Sequence, residues 1–424
     1  MISLAEEAWF QAPSLRRVFS VLNAEGGEAR IVGGAVRDAL IGRPVADIDL
    51  ATTLTPDEVI ARADAAGIKS VPTGLAHGTV TLVIDGKPFE VTTLRRDVTT
   101  DGRHAEVAFT TDWEEDARRR DLTINALYAD AEGRIYDHVG GLPDIESRTI
   151  RFIGVAAERV AEDYLRVLRF FRFFAWYGSG RPDAEGLKAC ARARDHLASL
   201  SAERVWSETK KLLTAPDPGR ALLWMRTSGV LTAILPESEK WGIDAIPGLV
   251  SAEDAFGWTP DPLLRLVAML PPDAERIAAL CQRLRLSKSE AARLTRWAAC
   301  LPIPEKTAEA ALDRRLYRDG TDGALMRLKL DLALAHSKRE TEPEALQRIA
   351  ALQRLLARTE RFEKPRFPLT GADVLAAGVP AGPAVGDILS MLEEQWVAEN
   401  FAADRKSLLT RLATAVADAK PSNA

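Results

Sequence analysis

The stretch "GGAVRDALIGRPVADIDLAT", residues 33–52, decides the fold of the N-terminal third of this chain. A glycine pair opens a short helical segment that Gly42 closes, and the apolar stretch "VADIDLAT" then predicts a strand that carries Asp47 and Asp49. Residues two apart on a strand project from the same face. An unpaired charge on a buried strand is costly, so these two carboxylates need a partner. A divalent cation is the leading prediction.

The sequence around this stretch predicts a small sheet with helices packed against it. "ARIV" is a short apolar strand that ends at Gly33, and "TPDEVIARADAAG" is a helix with Thr55 as its N-cap. "GTVTLVID" and "PFEVTTL" flank Asp85-Gly86 and predict a β-hairpin. The polar segment "DVTTDGRHAEVAFTT", residues 97–111, lacks a clear period and predicts a mobile loop.

A metal site is predicted from the acidic residues on these strands. Glu90 lies on the second hairpin strand and adds a third carboxylate to Asp47 and Asp49. Oxygen ligands on one face suit Mg²⁺, which takes one or two carboxylates and completes its shell with water and substrate phosphates. The alternative, an exposed acid pair on a surface strand, is the commoner meaning of two aspartates so spaced.

The residues before the aspartates favour a phosphate-binding turn. Gly33 and Gly34 stand at the start of a helix, where backbone N–H groups are able to approach an anion, and Arg37 follows one turn later. The run lacks the third glycine of a dinucleotide-binding fingerprint, and the chain has no P-loop motif. A phosphate cradle ten residues from metal-binding acids indicates nucleotidyl transfer.

Strand signals almost vanish after about residue 159. "EEDARRRDLTINALYAD" predicts a helix before that point, and "AEDYLRVLRFFRFFAWYG" predicts a single long one after it. On this helix Asp163 and Arg166 are i, i+3 neighbours with Arg169 one turn on, whereas Arg172 is rotated away towards a phosphate or another element. Helices continue to the end of the chain, with breaks at 215–219, 301–306 and 365–371.

Composition places further limits on the function. The chain has 424 residues, 28% charged residues and a formal net charge of -5, which argues against indiscriminate nucleic-acid binding. No window approaches the roughly 20 apolar residues of a membrane span, so we expect no membrane association. Three widely spaced cysteines, Cys190, Cys281 and Cys300, predict free thiols and a cytoplasmic location.

Four motifs in fixed order resemble one enzyme family. They are "GGAVRD…DIDLAT", "RRDLTINA" (119–126), "DHVGGLPD" (137–144) and "EDYLRVLRFFRF" (162–173). Together they resemble the class II tRNA nucleotidyltransferases, the CCA-adding enzymes of the polymerase-β superfamily. Weaker likeness in "SAERVWSETKKLL" and "PLTGADVLAAGVPAGPAVGDIL" extends the resemblance over most of the chain.

The resemblance implies a role for each motif residue. Asp47, Asp49 and Glu90 would be catalytic, with Asp47 and Asp49 holding Mg²⁺. The nucleotide would be bound by residues from all four motifs: Gly33, Gly34, Arg37, Arg120, Asp121, Asn125, Asp163, Arg166, Arg169 and Arg172. Within this set, Arg120 would contact the nucleotide phosphates and Asp121 the ribose hydroxyl, while Asn125 would order the turn or support Asp121.

Selection of the base is implied to rest on Asp163 and Arg166. Cytosine and adenine both present an amino donor beside a ring-nitrogen acceptor, so the carboxylate would accept from the first and the guanidinium would donate to the second. Guanine and uracil present a carbonyl and an N–H at these positions, which would leave both side chains unpaired. Two side chains would thus admit C and A without a nucleic-acid template.

Two motifs depart from the family pattern: "DHVGG" stands where "DPFGG" is more usual, and the loop motif differs at three positions. "DGRHAEV" resembles the flexible family loop associated with the switch from adding C to adding A, but Ala105 replaces the usual proline. Thr99 and Thr100 also stand where an aromatic residue is common. These departures put the stiffness of the loop in doubt, while the aspartates and the base-reading motif keep the family pattern.

The predicted fold class is α+β: a polymerase-β-like head with a mixed sheet and flanking helices, followed by an all-α neck, body and tail. The predicted divisions are a nucleotidyltransferase head at 1–150, a base-recognising neck at 151–215, a body at 216–364 and a tRNA-binding tail at 365–424. The expected partners are the acceptor end of tRNA, CTP and ATP, with no obligate protein partner.

The predicted function is template-independent, Mg²⁺-dependent addition of CCA to the 3′ end of tRNA. Three alternatives stay open: a bacterial poly(A) polymerase, an enzyme that adds only CC or only A, and a catalytically silent RNA-binding protein. A basic C-terminal tail would favour the first, and "ATAVADAKPSNA" is not basic. Retention of the acidic and basic motif residues together argues against the last.

Overall fold

The strand that ends at the glycine turn lies near the middle of a seven-stranded mixed sheet. The computed structural model describes residues 3–101, 104–239 and 242–418. The sheet order is β3-β4-β5-β2-β1-β8-β9, and β6 and β7 form a separate two-stranded sheet. The strands are β1 (Ala29–Val32), β2 (Asp49–Thr52), β3 (Lys69–Gly74), β4 (Thr79–Ile84), β5 (Lys87–Thr93), β6 (Arg95–Asp101), β7 (His104–Phe109), β8 (Leu127–Ala129) and β9 (Ile135–Asp137).

Residues 1–240 form one compact unit and residues 241–424 a second. The helices of the first unit are α1 (Pro13–Leu22), α2 (Gly34–Leu40), α3 (Pro56–Ala65), α4 (Trp113–Arg119), α5 (Gly141–Glu146), α6 (Ala156–Glu162), α7 (Leu165–Tyr177), α8 (Ala184–Arg192), α9 (Ala202–Leu213), α10 (Gly219–Thr227) and α11 (Val230–Ile234). Short 3₁₀ turns lie at Leu75–His77, Thr123–Asn125, Arg194–Ser199 and Pro236–Ser238.

All regular secondary structure in the described part of the second unit is helical. Its helices are α12 (Ala245–Phe256), α13 (Pro262–Ala268), α14 (Ala274–Arg283), α15 (Lys288–Ala299), α16 (Glu309–Asp319), α17 (Asp322–Ser337), α18 (Ala345–Glu360), α19 (Gly371–Ala376), α20 (Pro383–Ala398) and α21 (Arg405–Asp418). Leucines of α16, α17 and α18 build one apolar core, and residues of α19, α20 and α21 build another. No helix in the described part of the chain is long and apolar enough to cross a membrane. The predicted α+β architecture is confirmed.

Period-two alternation gives the central strands two buried faces. Ile31 and Leu50 point into a core shared with α1, α2 and α3. Their neighbours Val32 and Ala51 point into a second core with Trp113 of α4. Because both faces are covered, the short strands contain apolar residues at nearly every position. On β2 the first residue, Asp49, is exposed, whereas Leu50, Ala51 and Thr52 are buried.

Local turn signals are confirmed by the backbone. Thr55 caps α3 and forms a capping box with Glu58, and Gly67 just past that helix has a φ of +62°. Asp85 and Gly86 have φ values of +52° and +75°, the left-handed conformation that a two-residue hairpin turn requires. Gly33, with a φ of +70°, directs the chain from β1 into α2.

Two sequence predictions in the motif region were wrong. The helix predicted over "EEDARRRDLTINALYAD" ends at Arg119, and the long helix predicted through Asp163 is broken there into α6 and α7. In the first case, long-range backbone bonds straighten the chain: the Ile153 N–H donates to the Asp121 carbonyl at 3.1 Å. In the second, Asp163 is extended and its carboxylate accepts the Leu165 N–H at 3.0 Å, as a helix-capping side chain does.

Two further corrections concern strands. Asp47 precedes β2, which begins at Asp49, because β1 ends at Val32 and offers no partner to earlier residues. The predicted loop at 97–111 contains β6 and β7, paired from Arg95 with Phe109 to Asp101 with His104. Gly102 and Arg103, the tip of the predicted loop, lie outside the described residues, as do the side chains of Thr99, Thr100 and Ala105.

Candidate active site

A cleft of about 570 Å³ in the first unit collects almost all of the predicted site residues. It is lined by the end of β1, the start of α2, the strands β2 and β5, the segment after α4, and the helices α7 and α9. The predicted residues in its wall are Gly33, Gly34, Arg37, Asp49, Glu90, Arg120, Asp121, Asn125, Asp163, Arg166, Arg169 and Arg172. Asp47 is exposed and is not part of the wall. Eight arginines and four carboxylates line the cleft, which therefore favours an anionic ligand.

Strand pairing brings two carboxylates together at one end of the cleft. β2 and β5 run parallel, and their register places Asp49 directly beside Glu90. Although Asp49 is exposed to the cleft, the protein atoms around it raise its pKa, and the charges of Glu90 and Asp47 raise it further. The Arg120 guanidinium opposes this shift. A cation at this point would relieve the repulsion between the carboxylates.

The donor set fits a metal that is completed by substrate. Among the described residues, no group of three or more His, Cys, Asp and Glu side chains is arranged to hold a metal ion unaided. Mg²⁺ commonly binds through one or two carboxylates and takes its remaining ligands from water and phosphate. Asp49, the adjacent Glu90 and Asp47, whose charge acts on Asp49, supply carboxylates of this kind.

The glycine turn contributes less to the cleft than its sequence predicts. The Gly33 N–H donates to the Leu127 carbonyl at 3.0 Å, so it is not available to a phosphate. A side chain at Gly33 would be strained by the positive φ, and its Cβ would lie 3.3 Å from the Asn125 carbonyl oxygen. Gly33 therefore serves the turn itself, and Gly34, the first residue of α2, is the other glycine of the cleft wall.

A chain of hydrogen bonds connects α2 with α7 across the cleft floor. Arg37 is buried and donates from Nη1 to Asn125 Oδ1 at 2.6 Å and from Nη2 to the Tyr177 hydroxyl at 2.8 Å. Asn125 Nδ2 donates to Asp121 Oδ1 at 3.2 Å, and Arg169 Nε donates to Asp121 Oδ2 at 2.6 Å. The predicted support of Asp121 by Asn125 is present in this geometry.

The hydrogen bonds and the ion pair at Asp121 keep its carboxyl group ionised. Burial acts to raise the pKa of Asp121, but the charge of Arg169 and the hydrogen bonds from Arg169, Asn125 and the Leu122 N–H outweigh it and lower the pKa. The carboxylate is therefore charged at neutral pH and retains lone pairs for a further donor. A ribose hydroxyl in the cleft is a donor of that kind.

Asp163 and Arg166, the two residues predicted to read the base edge, each form an ion pair with a different residue. Asp163 Oδ2 accepts from Arg204 Nη2 at 2.6 Å, and Arg204 belongs to α9. Arg166 instead pairs with Glu162 and donates from Nη1 to the Arg159 carbonyl at 3.0 Å. The break between α6 and α7 separates the two side chains, and both still line the cleft.

Arg172 meets another element, as its rotation on the helix predicts. Its Nε donates to Glu208 of α9 at 2.6 Å, and its guanidinium lies 4.2 Å from the centre of the Phe173 ring. The two charged side chains are 15% and 7% exposed, so the pair is largely buried. The Arg172–Glu208 pair links α7 to α9, and the Arg204–Asp163 pair links α9 to the break between α6 and α7.

Residues that the sequence analysis did not single out hold the predicted ones in place. Arg204 and Glu208 lie in "SAERVWSETKKLL", where spacing of four on one helix is the signal that both face α7. Asp116 lies four residues before Arg120 and accepts from its Nη2 at 2.8 Å. Glu162 precedes Asp163 in the same motif and pairs with Arg166.

A mixed sheet that places Asp49 beside Glu90 at an arginine-rich cleft indicates a nucleotidyltransferase. Comparison with known proteins agrees: the family model "Poly A polymerase head domain" matches residues 29–151, and "Probable RNA and SrmB-binding site of polymerase A" matches residues 181–241. Relatives that align with about nine tenths of the chain identify its family within the nucleotidyltransferases. The chain belongs to the family of CCA-adding tRNA nucleotidyltransferases.

The relatives cover nearly the whole chain. The mitochondrial CCA tRNA nucleotidyltransferase 1 of Mus musculus is 34% identical over 409 residues, which span 93% of this chain and 89% of that protein. The CCA-adding enzyme of Geobacillus kaustophilus is 34% identical over 390 residues, spanning 88% of this chain and 89% of that protein. A crystal structure of the Bacillus stearothermophilus CCA-adding enzyme in complex with CTP is 29% identical, with a TM-score of 0.67 and coverage of 96% and 97%.

Proposed function

We propose that this nucleotidyltransferase adds CCA to the 3′ end of tRNA from CTP and ATP, without a nucleic-acid template and with Mg²⁺. The observation that carries the proposal is one cleft that holds a carboxylate pair, a set of arginines and the Asp163–Arg166 segment together. The relative of solved structure with 29% identity was crystallised with CTP, and the relatives across most of the chain are CCA-adding enzymes.

The metal would be held by Asp49 with Asp47, and Glu90 would be the third catalytic carboxylate. Enzymes of this family are metal-dependent. Bound Mg²⁺ would lower the pKa of an attacking hydroxyl and neutralise charge on the transferred phosphate. The raised pKa of Asp49 supports this assignment, because the surrounding protein atoms disfavour its charge and Glu90 and Asp47 repel it, and a bound cation would offset both effects.

Phosphates and sugar would be met by side chains already fixed in the cleft wall. Arg120 would contact the triphosphate with Gly34, while Asp121 would accept a hydrogen bond from the ribose hydroxyl. Arg37, whose guanidinium is engaged by Asn125 and Tyr177, would act on the nucleotide by holding Asn125 in place. The attacking group would be the 3′-hydroxyl of the RNA, so the reaction needs no protein nucleophile.

The base edge would be selected by Asp163 and Arg166, with their orientation set by neighbours. Arg204 fixes one oxygen of Asp163, and Glu162 fixes Nη1 of Arg166. Within the described part of the chain, Nε and Nη2 of Arg166 have no hydrogen-bond partner, which leaves donors for the ring nitrogen of cytosine or adenine. Uracil and guanine present N–H at that position and would be refused.

The remaining parts of the chain would handle the RNA. We propose the division into a head at 1–150, a neck at 151–215, a body at 216–364 and a tRNA-binding tail at 365–424. Duplex RNA is recognised mainly through phosphates and shape, which suits a helical surface with dispersed basic residues. The three cysteines are free thiols, which supports a reducing compartment such as the cytoplasm.

The test is a primer-extension assay with the intact protein. We would supply Mg²⁺ and tRNA transcripts that end at the discriminator base, at C and at CC, with each nucleoside triphosphate alone and with CTP plus ATP. Growth that stops at CCA, with GTP and UTP unused, is the expected result. Long A tails would identify a poly(A) polymerase, a stop at CC would identify a CC-adding enzyme, and absence of extension would overturn the proposal.

A further inference from the structure

A buried carboxylate lies directly behind the arginines of the cleft wall. Asp116 on α4 has a side chain that is only 1% exposed. It accepts hydrogen bonds from Arg119 Nε at 2.8 Å, from Arg120 Nη2 at 2.8 Å and from the Tyr128 hydroxyl at 2.8 Å. Asp116 itself does not line the cleft, whereas Arg119 and Arg120 do. The carboxylate is therefore placed to act on a ligand only through its partners.

Asp116 is a fixed negative charge. Burial acts to raise the pKa of Asp116, but the charges of Arg120 and Arg119 outweigh burial and lower the pKa to about 2. The same carboxylate raises the pKa of Arg120 against the effect of that residue's own burial. Two adjacent guanidinium groups would otherwise repel each other, so Asp116 allows both to remain side by side at the cleft wall.

The bonds to Asp116 also fix the direction of the Arg120 guanidinium. Nε and Nη2 of Arg120 both donate to Asp116 Oδ2, at 3.1 Å and 2.8 Å. The Tyr128 hydroxyl lies 3.2 Å from Nε and donates to the same carboxylate oxygen. Among the residues that the structure describes, Nη1 of Arg120 has no partner, so this is the edge left for a ligand in the cleft.

We propose that Asp116, together with the Tyr128 hydroxyl, is a positioning residue that aims Nη1 of Arg120 at the triphosphate of the incoming nucleotide. This inference rests on the proposed function for the identity of the ligand. A guanidinium that is held in one direction offers phosphate an oriented hydrogen bond from Nη1 as well as a charge. Loss of the positioning carboxylate should therefore weaken nucleotide binding while Arg120 itself is still present.

A double-mutant cycle separates positioning from a general structural role. We would measure kcat and KM for CTP with Asp116→Asn, Arg120→Gln and the double variant, on tRNA that ends at the discriminator base. Asp116→Asn should raise KM for CTP about 10- to 100-fold, with a smaller effect on kcat, as expected for the loss of one charge-assisted hydrogen bond. The double variant should be no worse than Arg120→Gln alone. Effects that multiply would overturn the inference.

The matched control lies on the same helix. Glu114 pairs with Arg118 on the exposed side of α4, where the two side chains are 48% and 67% exposed. Glu114→Gln makes the same chemical kind of change away from the cleft and should leave KM for CTP within twofold. A rise in KM as large as that of Asp116→Asn would mean that any loss of charge on α4 perturbs the site, which would contradict positioning by Asp116.

A second measurement keeps the test informative if Asp116→Asn does not fold. Tyr128→Phe removes a single hydroxyl and would take the place of Asp116→Asn in the same cycle. The expected rise in KM for CTP is about 2- to 10-fold. Equilibrium binding without tRNA gives an independent readout: either variant should weaken binding of CTP and leave binding of CMP unchanged, since CMP lacks the outer phosphates. Equal weakening of both ligands would overturn the inference. A wild-type protein that prefers CTP to CMP but fails to extend tRNA would overturn the proposed function alone.

Discussion

Replacement of Arg166 by alanine tests the base-reading arrangement directly. Nη1 of Arg166 is held by Glu162 and by the Arg159 carbonyl at 3.0 Å, and the side chain is only 15% exposed. Asp163 is held separately by Arg204 at 2.6 Å. Arg166→Ala therefore removes one of the two groups proposed to meet the base and leaves the anchoring of the other intact.

The size of the effect follows from the cost of unpaired polar groups. A buried donor or acceptor that is left unsatisfied costs about 1–3 kcal/mol. In the proposed arrangement, Asp163 and Arg166 together would therefore reject a wrong base by about 2–6 kcal/mol, or about 30-fold to 10⁴-fold. Arg166→Ala should reduce the preference for CTP over UTP by about 5- to 150-fold, in addition to slowing the reaction.

The assay is single-nucleotide extension of a tRNA that ends at the discriminator base, with kcat/KM measured separately for CTP and UTP. Arg192→Ala is the matched control, because Arg192 is exposed on α8 and lies outside the cleft wall. The control should keep the wild-type ratio. A variant at Arg166 with lower rates but an unchanged CTP to UTP ratio would refute reading of the base edge by this residue.

Two further substitutions probe the ends of the cleft. Burial and neighbouring carboxylates raise the pKa of Asp49, so its ionised form destabilises the folded state above the pKa of the unfolded chain. Asp49→Asn should abolish transfer while raising Tm by about 1–4 °C at neutral pH, and surviving activity or a lower Tm would contradict this. Glu208→Gln leaves Arg172 with no charged partner on α9, and should lower the free energy of unfolding by about 1–3 kcal/mol in urea denaturation. Glu185→Gln, on the exposed side of α8, should change it by less than about 0.5 kcal/mol, and an equal loss in both variants would contradict the argument.

Local signals predicted those parts of the fold that local interactions control. The capping box at Thr55 and the hairpin turn at Asp85 each follow from residues a few positions apart. The register that places Asp49 beside Glu90 does not follow from local signals, because it depends on the parallel pairing of two strands separated by about forty residues. The sequence nevertheless predicted that the two acids would meet, since acids on apolar strands need a common ligand.

Errors occurred where a distant segment overrides the helical pattern. The helix ends before Arg120 because the backbone after it forms hydrogen bonds with residues 151–153. Asp163 interrupts a strongly helical run because its carboxylate accepts hydrogen bonds from Arg204 and from the Leu165 N–H. Neither partner of Asp163 lies three or four residues from it in the sequence, so helical periodicity does not reveal the contact. Helical spacing likewise gave no indication that Arg204 pairs with Asp163, although Asp163 and Arg166 both line the cleft.

By itself, the sequence determined the residue types of the site, the apolar periods of the strands and helices, and the order of the motifs that defines the family. These properties depend on side-chain chemistry and on spacing within one element. Only the tertiary structure decided which ions pair: Arg169 with Asp121, Arg204 with Asp163, and Arg172 with Glu208. A chain that carries 56 basic and 61 acidic residues allows far too many pairings for spacing to choose among them. Packing makes the choice, because burial penalises every charge that is left without its partner.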